Sequence, residues 1–142
     1  MNAVGKSCAR EYVIPSDLAA ARQLQSEIEE ALQIAQFPES EIFAIKMAVE
    51  EALVNAIKHG NQMDPEKSVR VSYTALTDRF DVRITDEGPG FNPSDVPDPT
   101  SPENLERPCG RGLLLMRYYM TEVSFDASGS TISMYKLRNG TK

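Results

Sequence analysis

The chain has 142 residues, 41% of them hydrophobic and 25% charged, and a formal net charge of −6. These values are ordinary for a soluble globular protein, and the length predicts a single domain over residues 1–142. The negative charge argues against nucleic acid as a direct partner, because phosphate backbones select basic surfaces.

Hydrophobic spacing predicts a short strand at residues 11–14, followed by two helices. The first helix spans residues 16–36, with Ser16 as its N-terminal cap, because apolar residues recur there at helical spacing. The second helix spans residues 38–60, and Gly60 is its C-terminal stop.

A hairpin of two strands follows at residues 69–76 and 79–85, where apolar and polar residues alternate. Residues 91–109 contain five prolines, which preclude regular structure over most of that stretch. A loop this long in a compact domain is usually functional or mobile. The remaining elements are a helix at residues 112–120 and strands at residues 123–126 and 131–137.

The sequence shows no membrane segment and no secretion signal. It has no run of 18 apolar residues, and its N-terminus, MNAVGKSCAREYV, lacks the apolar stretch of a signal peptide. Cys8 and Cys109 lie far apart in sequence and are expected to be free thiols. We therefore expect a cytoplasmic protein with no membrane partner.

The first motif is EEALVNAIKHGN, residues 50–61, on the second predicted helix. It places Glu51 and Asn55 one turn apart, roughly opposite the apolar stripe of that helix. The amide oxygen of Asn55 suits Mg²⁺, which keeps several waters and takes few protein ligands. Glu51 is placed to accept a proton from an attacking hydroxyl or water, although an isolated helix glutamate is usually only solvated.

Lys58 and His59 lie in the same motif. Lys58 could pair with phosphates, or it could be a solvated lysine. His59 could touch a ribose or phosphates, and a partly buried, satisfied histidine is the equal alternative.

The second motif, DEGPGF at residues 86–91, begins where the second hairpin strand ends. Its residues would form a tight turn whatever their purpose. Gly88 and Gly90 have no Cβ, so the backbone can approach a base and a ribose closely.

The third motif is Gly110, Arg111 and Gly112, which open the helix that continues from Leu113. The amides at a helix N-terminus present a positive end to an anion such as a phosphate. Arg111 could pair with the terminal phosphates, as could Arg107, although loop arginines are more often solvated. The alternative is that the glycines form a simple hinge.

These segments resemble the N box, G1 box and G2 box of the GHKL ATPase superfamily, whose ATP site is called the Bergerat fold. The likeness is greatest to the small anti-sigma-factor serine kinases of bacteria and runs over residues 14–137, including GRGLLLMRYYMTEVSF and the closing strand GSTISMY. Histidine kinases share the boxes but carry an upstream helical dimerisation and phosphoacceptor domain. We expect none here, since 142 residues leave no room for it.

The resemblance implies a two-layer α/β sandwich, with a mixed, mainly antiparallel sheet covered on one face by helices. It also implies that ATP and Mg²⁺ bind on the helix layer under a lid at about residues 91–111. Asp86 would accept a hydrogen bond from the adenine amino group, and guanine offers a carbonyl at that place. Ser130 holds the position of a hydroxyl near the adenine, with Thr131 one register away.

In function, the resemblance implies a serine/threonine kinase. Such an enzyme binds a sigma factor as a homodimer and phosphorylates a serine on a STAS-domain anti-anti-sigma protein. Glu51 would be the base, Asn55 would hold Mg²⁺, and the glycine-loop amides would bind the phosphates.

Two alternatives remain open from the sequence. The first is an ATP- or ADP-sensing module that sequesters a partner without chemistry. The second is a histidine-kinase-type catalytic domain acting in trans. The only histidine of the sequence, His59, lies inside the first motif and not in a phosphoacceptor motif, which argues against phosphorylation of the chain on histidine.

Overall fold

The computed structural model describes residues 10–88 and 108–138, and describes side chains in the second range from residue 112 onward. The strands are β1 (Arg10–Pro15), β2 (Ser68–Ala75), β3 (Arg79–Thr85), β4 (Glu122–Phe125) and β5 (Thr131–Leu137). The helices are α1 (Leu18–Ile34), α2 (Glu39–Val54) and α3 (Pro108–Tyr119). A π-helical segment, Asn55–Gly60, continues α2 without a break.

The strands form one five-stranded sheet in the order β1-β2-β3-β5-β4, and each neighbouring pair is antiparallel. Alternate residues are buried against the helices, among them Val69, Val71, Tyr73, Phe80, Val82, Ile84, Ile132 and Met134. The residues between them form the opposite face of the sheet, which we call the open face. The predicted two-layer α/β sandwich with a mainly antiparallel sheet is confirmed.

α2 is the central helix of the helical layer. It packs against both α1 and α3. Its side chains at Ile45, Ala48 and Val49 are completely buried, and those at Ala44 and Ala52 nearly so. Burial of each large aliphatic side chain stabilises the fold by roughly 1.5–3 kcal/mol, so α2 is a rigid support for the polar residues at its C-terminal end.

The cap of α1 is Asp17 and not Ser16, so that prediction was wrong. Asp17 has an extended backbone and its side chain accepts the N–H of Ala19 at 3.0 Å. Ser16 is buried, and its hydroxyl donates to the carbonyl of Lys67 at 2.8 Å. Both residue types cap helices well, and the long-range contact of Ser16 decides between them.

The second helical run ends at Gly60, as predicted, but not for the predicted reason. Gly60 does not have a left-handed backbone; Gln62 and Met63 do, with φ of 55° and 59°. The N–H of Asn61 bonds to the carbonyl of Ala56 at 2.8 Å, an i to i−5 bond that widens the last turn. The left-handed pair after Asn61 then turns the chain toward β2.

α3 begins at Pro108, ahead of the predicted start at residue 112. Proline is acceptable in the first turn of a helix, where its missing N–H would have no partner. Gly110, Arg111 and Gly112 therefore lie inside α3 and do not precede it. Within the described ranges, no helix combines the length and the apolar character that crossing a membrane requires.

Candidate functional site

The first and third motifs meet at Gly112. A Cβ atom at residue 112 would lie 3.1 Å from Nδ2 of Asn55, 3.1 Å from Cγ of Glu51 and 3.3 Å from Oε2 of Glu51. α3 can approach the carboxylate and the amide this closely because residue 112 has no side chain. The structure therefore brings together Glu51, Asn55 and the glycine segment.

The first and second motifs meet at Gly60. A Cβ atom at residue 60 would lie 2.3 Å from Cγ of Asp86, and one at residue 88 would lie 2.0 Å from the carbonyl oxygen of Gly60. Asp86, Gly60 and Gly88 are thus packed at a distance that only glycine permits. The observed reason for glycine at residue 88 is this contact; its approach to a ribose stays a prediction.

The carboxyl group of Asp86 is partly removed from water. Burial raises its pKa, although the N–H of Gly88 donates to Oδ1 at 2.8 Å and acts in the opposite direction. The nearby charge of Asp126 raises the pKa further. A desolvated carboxylate of this kind favours a ligand that brings its own hydrogen-bond donor.

Ser130 and Thr131 have different positions relative to Asp86. The carbonyl of Ser130 accepts the backbone N–H of Asp86 at 3.0 Å. The hydroxyl of Thr131 lies 2.9 Å from that of Thr85, its partner in the sheet register. Because Ile132 is buried on the helix side, strand alternation puts Thr131 on the open face. Ser130 is therefore the better placed of the two to reach a base beside Asp86.

The other predicted site residues divide into three groups. Lys58 and His59 are exposed on the π-helical segment, so His59 is not a partly buried histidine. Leu113 is buried in the core, so only its backbone could reach a ligand. The rest are described in part or not at all. For Gly110 and Arg111 the structure describes only the backbone, which is helical, and the side chain of Cys109 is not described. Gly90, Cys8 and residues 91–107 of the predicted lid lie outside the described residues.

Comparison with known proteins identifies the family. The family model of the histidine kinase-like ATPase domain matches residues 14–136. The chain belongs to the histidine kinase-like ATPase family. The match contains Glu51, Asn55, Asp86 and Gly112, the residues that carry the geometry above.

Relatives of the chain within the family include named kinases and anti-sigma factors. The chain is 33% identical to the serine-protein kinase RsbW of Bacillus subtilis (strain 168), over 72% of its own length and 68% of the relative's. It is 39% identical to the anti-sigma F factor of Bacillus cytotoxicus, over 68% and 69% of the two lengths. It is 35% identical to the serine-protein kinase RsbW of Bacillus licheniformis, over 67% of its own length and 64% of the relative's. The aligned region thus spans about two thirds of these relatives.

A solved structure supports the fold of this family member. It is the crystal structure of the RsbU and RsbW domains of Rv1364c from Mycobacterium tuberculosis, with a TM-score of 0.63. The likeness covers 92% of this chain and 31% of that one, at 18% sequence identity. At this identity it establishes the fold alone.

In this family member, Asp86→Asn is expected to raise the thermal stability of the free protein. Burial raises the pKa of Asp86, so the folded state disfavours the charged form, and the carboxylate costs stability at neutral pH. The amide removes this cost and keeps an oxygen that can accept the N–H of Gly88. The gain in stability should shrink as the pH falls through the raised pKa, because Asp86 of the parent is then protonated and as uncharged as the amide of the variant. Thermal unfolding of both proteins across pH measures it.

Asp126→Asn is the comparison for that experiment and is made in the Asp86→Asn background, because the charge of Asp126 also raises the pKa of Asp86. Desolvation pushes the pKa of Asp126 up, but hydrogen bonds outweigh it and the pKa is lowered. The donors are the N–H of Thr131, the hydroxyl of Ser128 and the N–H of Gly129. Asp126→Asn should therefore lower the unfolding temperature at neutral pH, and the loss should vanish as the pH falls through the lowered pKa. An Asp86→Asn protein that also loses stability would contradict the expected cost of the Asp86 carboxylate.

Two residues of the site were not singled out in the sequence. Asn61 directly follows the predicted end of the second helix and Glu87 lies in the predicted tight turn, yet the N–H of Glu87 donates to Oδ1 of Asn61 at 2.7 Å. Asn61 is completely buried. Its position directly after Gly60, inside the first motif, is the one signal that could have drawn attention to it.

Proposed function

We propose that the chain is an ATP-dependent protein serine/threonine kinase of the anti-sigma type. The observation that carries the proposal is the arrangement at the two ends of the π-helical segment Asn55–Gly60. At one end Asn55 lies beside Glu51 and Gly112, and at the other Gly60 packs on Asp86. One short segment therefore connects a place for phosphates and metal with a place for a base.

At the base end, the Asp86 carboxylate accepts a hydrogen bond from the adenine amino group. The partly buried carboxylate fits this role, because a donor from the ligand replaces the water that burial removes. Guanine would place a carbonyl there and leave two acceptors facing each other. Ser130 stands beside this contact.

At the phosphate end, the amide oxygen of Asn55 would hold Mg²⁺. Bound there, the ion would supply positive charge against the transferred phosphoryl group. In the first turn of α3, which begins at Pro108, the backbone amides of Gly110 and Arg111 are the donors for the phosphates, and Gly112 lies one turn further on, beside Asn55 and Glu51. Lys58 and His59 are exposed on the π-helical segment between the two ends of the site, Lys58 as a partner of the phosphates and His59 as a contact of the ribose or phosphates. A lid at about residues 91–111 covers the nucleotide.

Glu51 accepts the proton of the attacking serine hydroxyl. It lies one helical turn before Asn55, and both side chains lie against Gly112. A base within reach of the metal-bound phosphate is the arrangement that phosphoryl transfer to a hydroxyl requires. This carboxylate favours catalysis over nucleotide sensing alone.

The partners in this proposal are a sigma factor and a STAS-domain anti-anti-sigma protein that carries the phosphorylated serine. The names of the relatives, serine-protein kinase RsbW and anti-sigma F factor, support this choice. The chain acts as a homodimer in the cytoplasm, and residues 1–142 form one domain. Direct binding to nucleic acid is not part of the function, given the formal charge of −6.

The deciding experiment mixes the purified protein with Mg²⁺, labelled ATP and each STAS protein encoded near its gene. We expect label on a serine of one STAS protein, and titration calorimetry should show tighter binding of ATP than of GTP. Binding of ATP without transfer to any STAS protein would favour the nucleotide-sensing module. Transfer to a histidine of a separate protein would favour the histidine-kinase-type domain. Equal affinity for ATP and GTP would remove the role given to Asp86.

A further inference from the structure

Asn61 is the centre of a buried polar network beside the second motif. Its Nδ2 donates to the hydroxyl of Ser16 and to the carbonyl of Ser68, both at 2.9 Å. Its Oδ1 accepts the N–H of Glu87 at 2.7 Å. The side chain is completely buried, and these bonds use both of its donor hydrogens and its acceptor. Its orientation is therefore fixed.

Glu87 is held a second time, by its own side chain. Its Oε2 accepts the N–H and the hydroxyl of Ser68, both at 2.8 Å. These hydrogen bonds lower the pKa of Glu87, so the carboxylate is ionised at neutral pH. Glu87 is thus bound at its backbone by Asn61 and at its carboxylate by Ser68.

Asn61 and Glu87 directly follow Gly60 and Asp86, the two residues that pack together at the base end of the site. Gly60 packs on the carboxylate of Asp86, and the next residue, Asn61, binds the N–H of Glu87. We propose that Asn61 is a positioning residue for base recognition, which fixes the peptide between Asp86 and Glu87 and so directs the Asp86 carboxylate toward the adenine. This inference rests on the proposed function.

In this proposal Asn61 does not contact the base; it fixes the direction of the Asp86 carboxylate that does. The Asp86 carboxylate accepts the N–H of Gly88 at 2.8 Å, so its direction depends on how the backbone of residues 86–88 is held. The N–H of Asp86 is fixed by the carbonyl of Ser130 at 3.0 Å, and the following peptide is fixed by Asn61. Loss of the second bond lets the Glu87 peptide shift, and with it the Gly88 N–H that holds the carboxylate. That shift weakens a directed hydrogen bond to one base more than general binding of the phosphates.

The test compares two alanine variants within the same network. Asn61→Ala removes the acceptor of the Glu87 N–H. Ser16→Ala removes a buried hydroxyl that contacts Asn61 and Lys67, but Asn61 keeps its bonds to Ser68 and Glu87 and therefore its orientation. Both variants are expected to lose stability. Only Asn61→Ala should reduce the ratio of ATP affinity to GTP affinity, by about tenfold, which is the scale of one directed hydrogen bond.

Ser68→Ala keeps the experiment decisive if Asn61→Ala does not fold. Ser68 is only half-buried, so its replacement should be tolerated. Removing its hydroxyl takes away one hydrogen bond to the Glu87 carboxylate. We expect a smaller fall in the ratio of ATP affinity to GTP affinity, again with Ser16→Ala unchanged. The measurement is titration calorimetry with each nucleotide and Mg²⁺ on folded protein.

The outcomes separate this inference from the proposed function. If the parent protein does not prefer ATP to GTP, the proposed base recognition itself is wrong. If the parent prefers ATP and folded Asn61→Ala keeps the same preference, Asn61 is only a structural residue. If Asn61→Ala is unfolded and Ser68→Ala retains the full preference, holding Glu87 in place does not contribute to base recognition and the inference is wrong.

Discussion

Glu51→Gln is expected to lower phosphoryl transfer by about 10²-fold or more, with ATP affinity close to that of the parent. Glutamine has the shape of glutamate but cannot take the serine proton at neutral pH. The shape matters, because a Cβ at residue 112 would lie only 3.1 Å from Cγ of Glu51, so the side chain is closely packed. The measurement is single-turnover transfer to the STAS substrate, with nucleotide affinity determined separately.

The neighbouring Glu50→Gln is the control, since it makes the same chemical change on the same helix at an exposed position. It should transfer phosphate at the parental rate. Asn55→Ala, in contrast, should lose both the Mg²⁺-dependent part of ATP binding and the transfer. Parental transfer by Glu51→Gln would exclude the carboxylate as base and would support a site that senses nucleotide without using it.

Gly60→Ala is expected to weaken ATP binding by roughly 10- to 100-fold, the loss expected for a hydrogen bond to a charged group of about 1.5–3 kcal/mol. The added methyl would lie 2.3 Å from Cγ of Asp86, so the carboxylate must leave its place. A short side chain can rotate away without unfolding the protein. We therefore expect a folded protein, by circular dichroism, that no longer prefers ATP to GTP.

Two other glycines make this a graded series. At Gly88 the methyl would meet the backbone carbonyl of Gly60 at 2.0 Å, which cannot yield, so Gly88→Ala should lose fold stability. At Gly112 the nearest atoms are side-chain atoms at 3.1 Å, which need to move only slightly. Gly112→Ala should keep the adenine preference and lose part of the transfer rate. Equal effects of all these substitutions would mean that the close packing has no specific role.

The strands of the hairpin were predictable because their signal is local. Val69, Val71 and Tyr73 alternate with polar residues, and β2 buries them as the alternation requires. The spacing of Glu51 and Asn55 is equally local, since one helical turn puts them side by side. That Gly112 would lie against both is a tertiary fact, and only the resemblance to a family pointed to it.

The parts that were mispredicted or missed depend on contacts distant in sequence. Ser16 and Asp17 are equivalent as caps until Ser16 binds the carbonyl of Lys67, 51 residues away. Asn61 resembles any turn asparagine until Glu87, 26 residues away, is placed against it. No local pattern distinguishes these residues from ordinary solvated ones, because their burial is set by the packing of β1, β2 and the second motif.

The π-helical segment makes the number of residues between Asn55 and Gly60 part of the site. Each residue of an α-helix turns the chain by roughly 100°, and each residue of the wider π form by somewhat less, so deleting one residue there would rotate everything after it by a large angle. Gly60 would then no longer face Asp86, even with every side chain of the motifs unchanged. The hairpin turn after β2 lies at the opposite end of β3 from Asp86. Insertions and deletions should therefore be tolerated at that turn, whereas the segment from Asn55 to Gly60 must keep its number of residues for the site to form.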